Sequence, residues 1–147
     1  MSKKISFRDK IIPETDAHKI KLSTINGKTG YKINKFQIIP TVPGGNAAVE
    51  YVMQIYNKNT GTSNEVDFSN GNLLAVAYYE DNVSSHEGLN QTIVFDNEIV
   101  NQDIFITCSD ASGGTVPCNY FLELETIALT DLQATQLTLK NIRTITS

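Results

Sequence analysis

Apolar side chains recur at intervals of two along most of this chain, and that spacing predicts strands rather than helices. In 48–56, AVEYVMQIY, Val49, Tyr51, Met53 and Ile55 share one side while Glu50 and Gln54 face the other, as in a half-buried strand. Residues 18–25, HKIKLSTI, alternate charged and aliphatic residues, and 31–39, YKINKFQII, run back after NGKTG. Asn-Gly readily supplies positive φ, so the two runs are expected to form a hairpin. The break TVPGGN at 41–46 precedes the strand at 48–56, and a polar loop at 57–64 leads into a short strand, EVDF, at 65–68. Residues 72–79, NLLAVAYY, are apolar on both faces. They predict a central strand covered on both sides, or one whose outer face meets a partner chain. After a loop at 80–91, further strands are expected at 92–95 (TIVF), 103–108 (DIFITC) and 118–129 (CNYFLELETIAL).

About seven or eight short strands at this spacing predict an all-β fold, an antiparallel β-sandwich or jelly roll. Only the tail reads as helix. Thr130 with Gln133 three residues later forms a capping box, and Leu132, Thr135, Leu139 and Ile142 recur at roughly helical spacing. A short C-terminal helix is expected from about residue 131. Residues 1–17 alternate poorly and mix charges with isolated Ile5, Phe7, Ile11 and Ile12. They read as an extended arm ordered by a neighbouring surface, those four side chains being its interface candidates; a first strand of the domain is the alternative. Residues 18–147 then form a single sandwich domain.

At 147 residues the chain is long enough for one domain with a real core. Its formal charge of −4 argues against nucleic-acid binding, which needs a basic footprint. No stretch approaches a membrane helix, and the N-terminus lacks the apolar run of a signal peptide. A soluble protein made in a cytosol is expected.

Tests for chemistry give little. Gly27-Lys28-Thr29 has the tail of a phosphate-binding loop, but Leu22 stands where its first glycine belongs and a strand follows, so a turn is the reading. Ser84, Ser85, His86 and Glu87 contain catalytic residue types, yet sequence neighbours point different ways and form no relay. His18 has no obvious partner. Two histidines and two cysteines lack zinc spacing. Asp96, Asn97, Glu98, Asn101 and Asp103 are oxygen-rich and close in sequence, a weak calcium candidate without EF-hand spacing; Asp and Asn serve sandwich loops equally as backbone hydrogen-bond acceptors. Tyr51, Tyr56, Tyr78 and Tyr79 are weighed as a sugar-stacking face against core and interface packing, which is the preferred role. No cofactor is implied.

Both cysteines flank a turn-like run, TCSDASGGTVPC at 107–118. Read as a hairpin hinged on Gly113-Gly114, it places Cys108 and Cys118 nearly opposite each other on the inward side. A cross-strand disulfide is geometrically possible and would contribute about 2–3 kcal/mol. Synthesis in a reducing cytosol favours the other reading, two buried thiols acting as small hydrophobes.

Segments 30–45 (GYKINKFQIIPTVPGG), 66–81 (VDFSNGNLLAVAYYED), 93–107 (IVFDNEIVNQDIFIT), 117–129 (PCNYFLELETIAL) and 134–143 (ATQLTLKNIR) occur in that order. Together they resemble small virion structural proteins of marine, cyanophage-like tailed bacteriophages. The resemblance spans residues 30–143 and leaves out the N-terminal arm. It implies a β-sandwich on the particle surface, such as a capsid decoration or cement protein or a head- or tail-associated knob, and no catalytic residue. It further implies binding to the major capsid protein or other virion proteins, and a homo-oligomer, with a trimer favoured. Its contacts would come from the arm and from one sheet face, including Tyr78 and Tyr79. Assembly would take place in the bacterial cytoplasm, and particles that later meet oxidising surroundings keep the disulfide open. A receptor- or carbohydrate-binding module of an appendage is the alternative, read through Tyr78, Tyr79 and loop Asn and Asp residues.

Overall fold

The computed structural model describes residues 3–24, 26–42, 48–63, 65–82, 87–95 and 99–146, without the side chains of 82, 87–89 and 141–146. Nine strands and one helix follow in order: β1 (Lys3–Ile11), β2 (His18–Ile20), β3 (Thr29–Pro40), β4 (Val49–Tyr56), β5 (Leu73–Asn82), β6 (Glu87–Val94), β7 (Ile99–Val100), β8 (Ile104–Asp110), β9 (Cys118–Ala128) and α1 (Asp131–Thr146). The strands build a four-stranded sheet, β1-β9-β3-β7, and a five-stranded sheet, β2-β8-β4-β5-β6. Every pairing is antiparallel. Successive strands pass from one sheet to the other through β1, β2, β3 and β4, and again through β7, β8 and β9. With β6 set aside as an added edge strand, that is the connectivity of a jelly roll.

The core lies between the sheets. Its largest fully buried members include Phe36 and Ile38 from β3, Tyr51, Met53 and Ile55 from β4, Ile104 and Ile106 from β8, and Leu122 and Leu124 from β9. These are the inward members of alternating strands, as the spacing of two requires. Strand β3 shows how the alternation survives an irregular sequence. Ile33 and Phe36 are three apart, so a regular strand could not bury both. A register shift between Ile33 and Lys35 inserts one residue, after which Phe36 pairs with Leu122 and Ile38 with Tyr120. A second shift separates Ile55–Ala75 from Tyr56–Leu73. It allows adjacent Leu74 and Ala75 both to face the main core, and it sends Leu73 to a smaller cluster with Tyr56 and Val76.

Several expectations change. The arm expected over 1–17 is, from Lys3 to Ile11, the edge strand β1, paired residue for residue with β9 from Lys3–Thr126 to Ile11–Cys118. Ile11 is a core residue, and Ile5 and Phe7 pack against the core; of the four interface candidates only Ile12 stands out in solvent. The physical reason is the free edge of β9, whose hydrogen-bonding groups nine residues of β1 satisfy. The hairpin expected over 18–39 does not form. Three-residue β2 pairs with β8, whereas β3 pairs with β9 and β7. Asn26-Gly27 still makes a turn, with Gly27 at φ 65°, but the turn joins two sheets. Likewise β8 and β9 are not partners, and the hairpin expected around Gly113-Gly114 is a crossover between sheets. The strand expected at 65–68 is loop.

Helix α1 begins where its capping box places it. The Thr130 N–H donates to Gln133 Oε1 (3.0 Å) and the Gln133 N–H to Thr130 Oγ1 (3.2 Å). The face expected to pack does not: Leu132 and Leu139 are exposed, and Ala134 is the buried residue. Asn101 decides this orientation. Buried beneath the helix, its Nδ2 lies 3.1 Å from the Gly27 carbonyl, 3.5 Å from the Ala134 carbonyl and 3.3 Å from Thr138 Oγ1.

Candidate functional site

The outward side chains of the four-stranded sheet fall into rows across β1, β9 and β3: Lys10–Asn119–Ile39, Arg8–Phe121–Gln37, Ser6–Glu123–Lys35 and Lys4–Glu125–Lys32. This face holds five cations and two carboxylates in a chain whose formal charge is −4. Basic residues on β1 and β3 thus flank an acidic pair on β9. Between Arg8, Asp9 and Lys10 on one side and Gln37 and Ile39 on the other runs a groove of about 460 Å³, floored by Asn119, Tyr120 and Phe121. Its lining sets two cations against one carboxylate. Ile39, next to last in β3 and paired only with β9 at this end of the sheet, is 58% exposed there. The two salt bridges among the described residues, Lys19–Asp103 and Lys28–Asp131, lie elsewhere.

The opposite face is closed by the protein itself. Val52, Gln54, Tyr56, Val76, Thr107 and Ser109 sit on the outer side of the five-stranded sheet and are all buried. Residues 57–63 and 65–72 provide the cover. Gln54 Nε2 donates to the Ser63 and Glu65 carbonyls (3.1 and 3.0 Å), and its Oε1 accepts from the Tyr56 hydroxyl (2.7 Å). The segment before β2 completes it, with the Thr62 hydroxyl donating to the Thr15 carbonyl and the Ser109 hydroxyl to Glu14 Oε1. Phe68 stands edge-on to Phe95 at 5.6 Å. This internal cover is why 72–79 is apolar on both sides; β5 is a central strand with its own lid.

Beyond the lid the same sheet carries an acidic rim. Glu50 and Glu80 are cross-strand neighbours, and the Tyr78 hydroxyl lies 2.9 Å from a carboxylate oxygen of each. A phenol donates one proton, so one of these contacts lacks a hydrogen, and directly opposed like charges repel. Burial, followed by the two carboxylates, raises the Tyr78 phenol well above its ordinary range.

No family model and no curated protein matches this chain. The geometry of its own residues therefore carries the reading.

The sequence-derived candidates are dispersed. Tyr78 points to the acidic rim while Tyr79 packs on the core side, so the two form no common platform. Tyr51 is fully buried and donates to the Val116 carbonyl at 2.7 Å; Tyr56 lies under the lid. Cys108 and Cys118 are free thiols on strands of different sheets, both fully buried. Burial, with nearby acidic groups, pushes the Cys108 thiol up to about 12 and Cys118 higher still. Such thiols are poor nucleophiles. Of the calcium candidates, Asp96, Asn97 and Glu98 lie outside the described residues, as do Ser84, Ser85 and His86. Asp103 is spoken for: its Oδ1 accepts from the Leu22 and Ser23 N–H groups (2.8 and 2.9 Å) and its Oδ2 faces Lys19 Nζ at 3.3 Å. Burial acts to raise its pKa, but these donors outweigh it and hold the carboxyl below its usual range. Among the described residues no three His, Cys, Asp or Glu side chains cluster as a metal site. His18 meets Tyr120 edge-on at 6.2 Å. Lys28 pairs with Asp131, and Thr29 opens a strand rather than a helix, unlike a phosphate loop.

The cationic face and the acidic rim were not singled out from sequence. Their members are spaced along β1, β3 and β9, and along β4 and β5, and only the register brings them into rows. The signal available beforehand was the repeated Lys and Arg at alternate positions of β1.

Proposed function

We propose that this protein is a non-enzymatic structural component of a phage virion, of the capsid decoration or cement kind, working as a homo-oligomer on the particle surface. The observation that carries the reading is the asymmetry of the two sheet faces. One is closed by residues 57–63 and 65–72, and the other is open. There exposed Ile39 and half-buried Phe121 lie beside Arg8 and Lys10, which make no ion pair among the described residues. A protein that acts by burying surface combines apolar contact with polar contacts around it, and the end of this face where Ile39 and Phe121 meet Arg8, Lys10 and Gln37 offers both. The jelly-roll connectivity and the resemblance of residues 30–143 to phage virion proteins support the same reading. Docking in this proposal uses the outer face of the sheet that β1 completes.

The test is quantitative mass spectrometry of density-purified particles of the phage that encodes this chain. The protein is expected in many copies per particle. Re-addition to particles lacking it should fail for Ile39→Asp. Its absence from purified particles overturns the proposal.

A further inference from the structure

We infer that the occupant of the cationic groove is the acidic rim of a second copy of this chain. The inference rests on the reading of that groove as a docking face, and it names the neighbour. Arg8 and Lys10 border the groove on β1, exposed and without an ion pair among the described residues. Glu50 and Glu80 stand opposite each other on the other sheet, with one phenolic proton between them among the described residues. One patch has donors in excess and the other acceptors in excess. A guanidinium or ammonium group placed against Glu50 and Glu80 supplies the missing hydrogens and relieves their repulsion. Both patches carry apolar side chains: Ile39 and Phe121 lie in the groove, and exposed Ile93 lies on the outer side of β6 opposite Val76, one outward row from Tyr78. The positive excess on one face and the negative balance of the whole chain orient two copies before contact.

Because the patches belong to outer faces of different sheets, the contact is heterologous. Each copy offers its groove to one neighbour and its rim to another, and the assembly closes into a ring or continues as a stack according to the rotation between copies. The trimer implied by the resemblance is one such closure.

The experiment is sedimentation equilibrium of the full chain at about 0.02 M and about 0.5 M salt, where the screening length falls from roughly 20 Å to roughly 4 Å. Two double variants are compared, Arg8→Glu with Lys10→Glu, and Glu50→Gln with Glu80→Gln, the latter keeping side-chain shape. Wild-type circular dichroism and melting are required of both. Wild-type protein is expected to self-associate at low salt and to dissociate at least tenfold more readily at high salt. Each variant alone should be monomeric. Mixed, they should form a 1:1 complex that grows no further, since together they retain one intact groove and one intact rim. A wild type monomeric at both salts overturns the inference, as does association that persists in either variant or a mixture that stays monomeric. None of these outcomes bears on whether the protein is found in particles, so the two proposals fail separately.

Discussion

Ile11 is 1% exposed, and Ile12, the next residue, is 49% exposed. Ile11 closes the end of the β1–β9 ladder opposite Cys118, while Ile12 leaves the strand into the turn that leads to β2. Truncating the two should therefore give unequal results. Ile11→Ala is expected to cost about 2–5 kcal/mol through lost burial and the cavity left behind, and Ile12→Ala no more than about 0.5 kcal/mol. Urea unfolding of the two variants checks this, and equal effects would show that β1 is not packed as described. Both residues looked alike in the sequence because period-two alternation in β1 is masked by charges: Lys3, Lys4, Arg8, Asp9 and Lys10 surround Ile5, Phe7 and Ile11. Charged residues are also what an edge strand uses to avoid pairing with other chains, so the features that hid the strand are those expected of its position.

At the level of elements, the positions of β4 and β9 were legible, and so was the helix start. The solvated face expected of β4 was not, because Gln54 on its outer side is buried against the Ser63 and Glu65 carbonyls. β4 and β9 fall where alternation puts them, and the Thr130–Gln133 box caps α1 as its spacing required. Partnership was not legible. A turn sequence such as Asn26-Gly27 fixes a local reversal of the chain, but which strand lies alongside is decided by core packing, and here β2 and β3 go to different sheets. The docking of α1 was illegible for a related reason. Its apolar spacing pointed to Leu132 and Leu139, whereas a single buried amide from the loop before β8 selects the Ala134–Thr138 side. Asn101→Ala should release the helix without unfolding the sandwich. Hydrogen exchange of residues 134–140 is expected to quicken roughly tenfold or more, consistent with loss of about 1–3 kcal/mol of local hydrogen bonding, while β4 and β9 keep their protection. Unchanged exchange in the helix would assign its docking to other contacts.

Across the whole molecule, the interior contains several groups that ionise only in strongly alkaline solution. Burial raises Cys108 from 9.0 and Tyr120 from 10.0, each to about 12, and raises Cys118 and Tyr51 as well. The unfolded chain gives up these protons near pH 9 to 10, while the folded protein keeps them to about pH 12. Over that window the unfolded state binds fewer protons, so stability is complete below pH 9 and falls as pH rises toward 12. Cys108 alone accounts for about 1.4 kcal/mol per pH unit within it. Denaturant midpoints measured between pH 8 and 11 should drop steeply, and Cys108→Ala should lessen the slope by about one proton. A flat profile would mean that the thiols are exposed or already oxidised. The candidate site belongs to this largest scale too. Neither the cationic rows nor the Glu50–Tyr78–Glu80 rim exists until sheets have formed, so neither is visible as a local motif in the sequence.

The pairing of β1 with β9 joins residues separated by almost the whole chain. During synthesis, at roughly 5–20 residues per second, β1 emerges several seconds or more before any of β9 exists. Ile5, Phe7 and Ile11 are then on a nascent chain with no partner, a setting that invites aggregation. The lysines and arginine interleaved with them act in that interval as gatekeepers, keeping the waiting strand soluble. The basic residues that later form one wall of the groove thus have an earlier task, on the ribosome, before there is a groove to line.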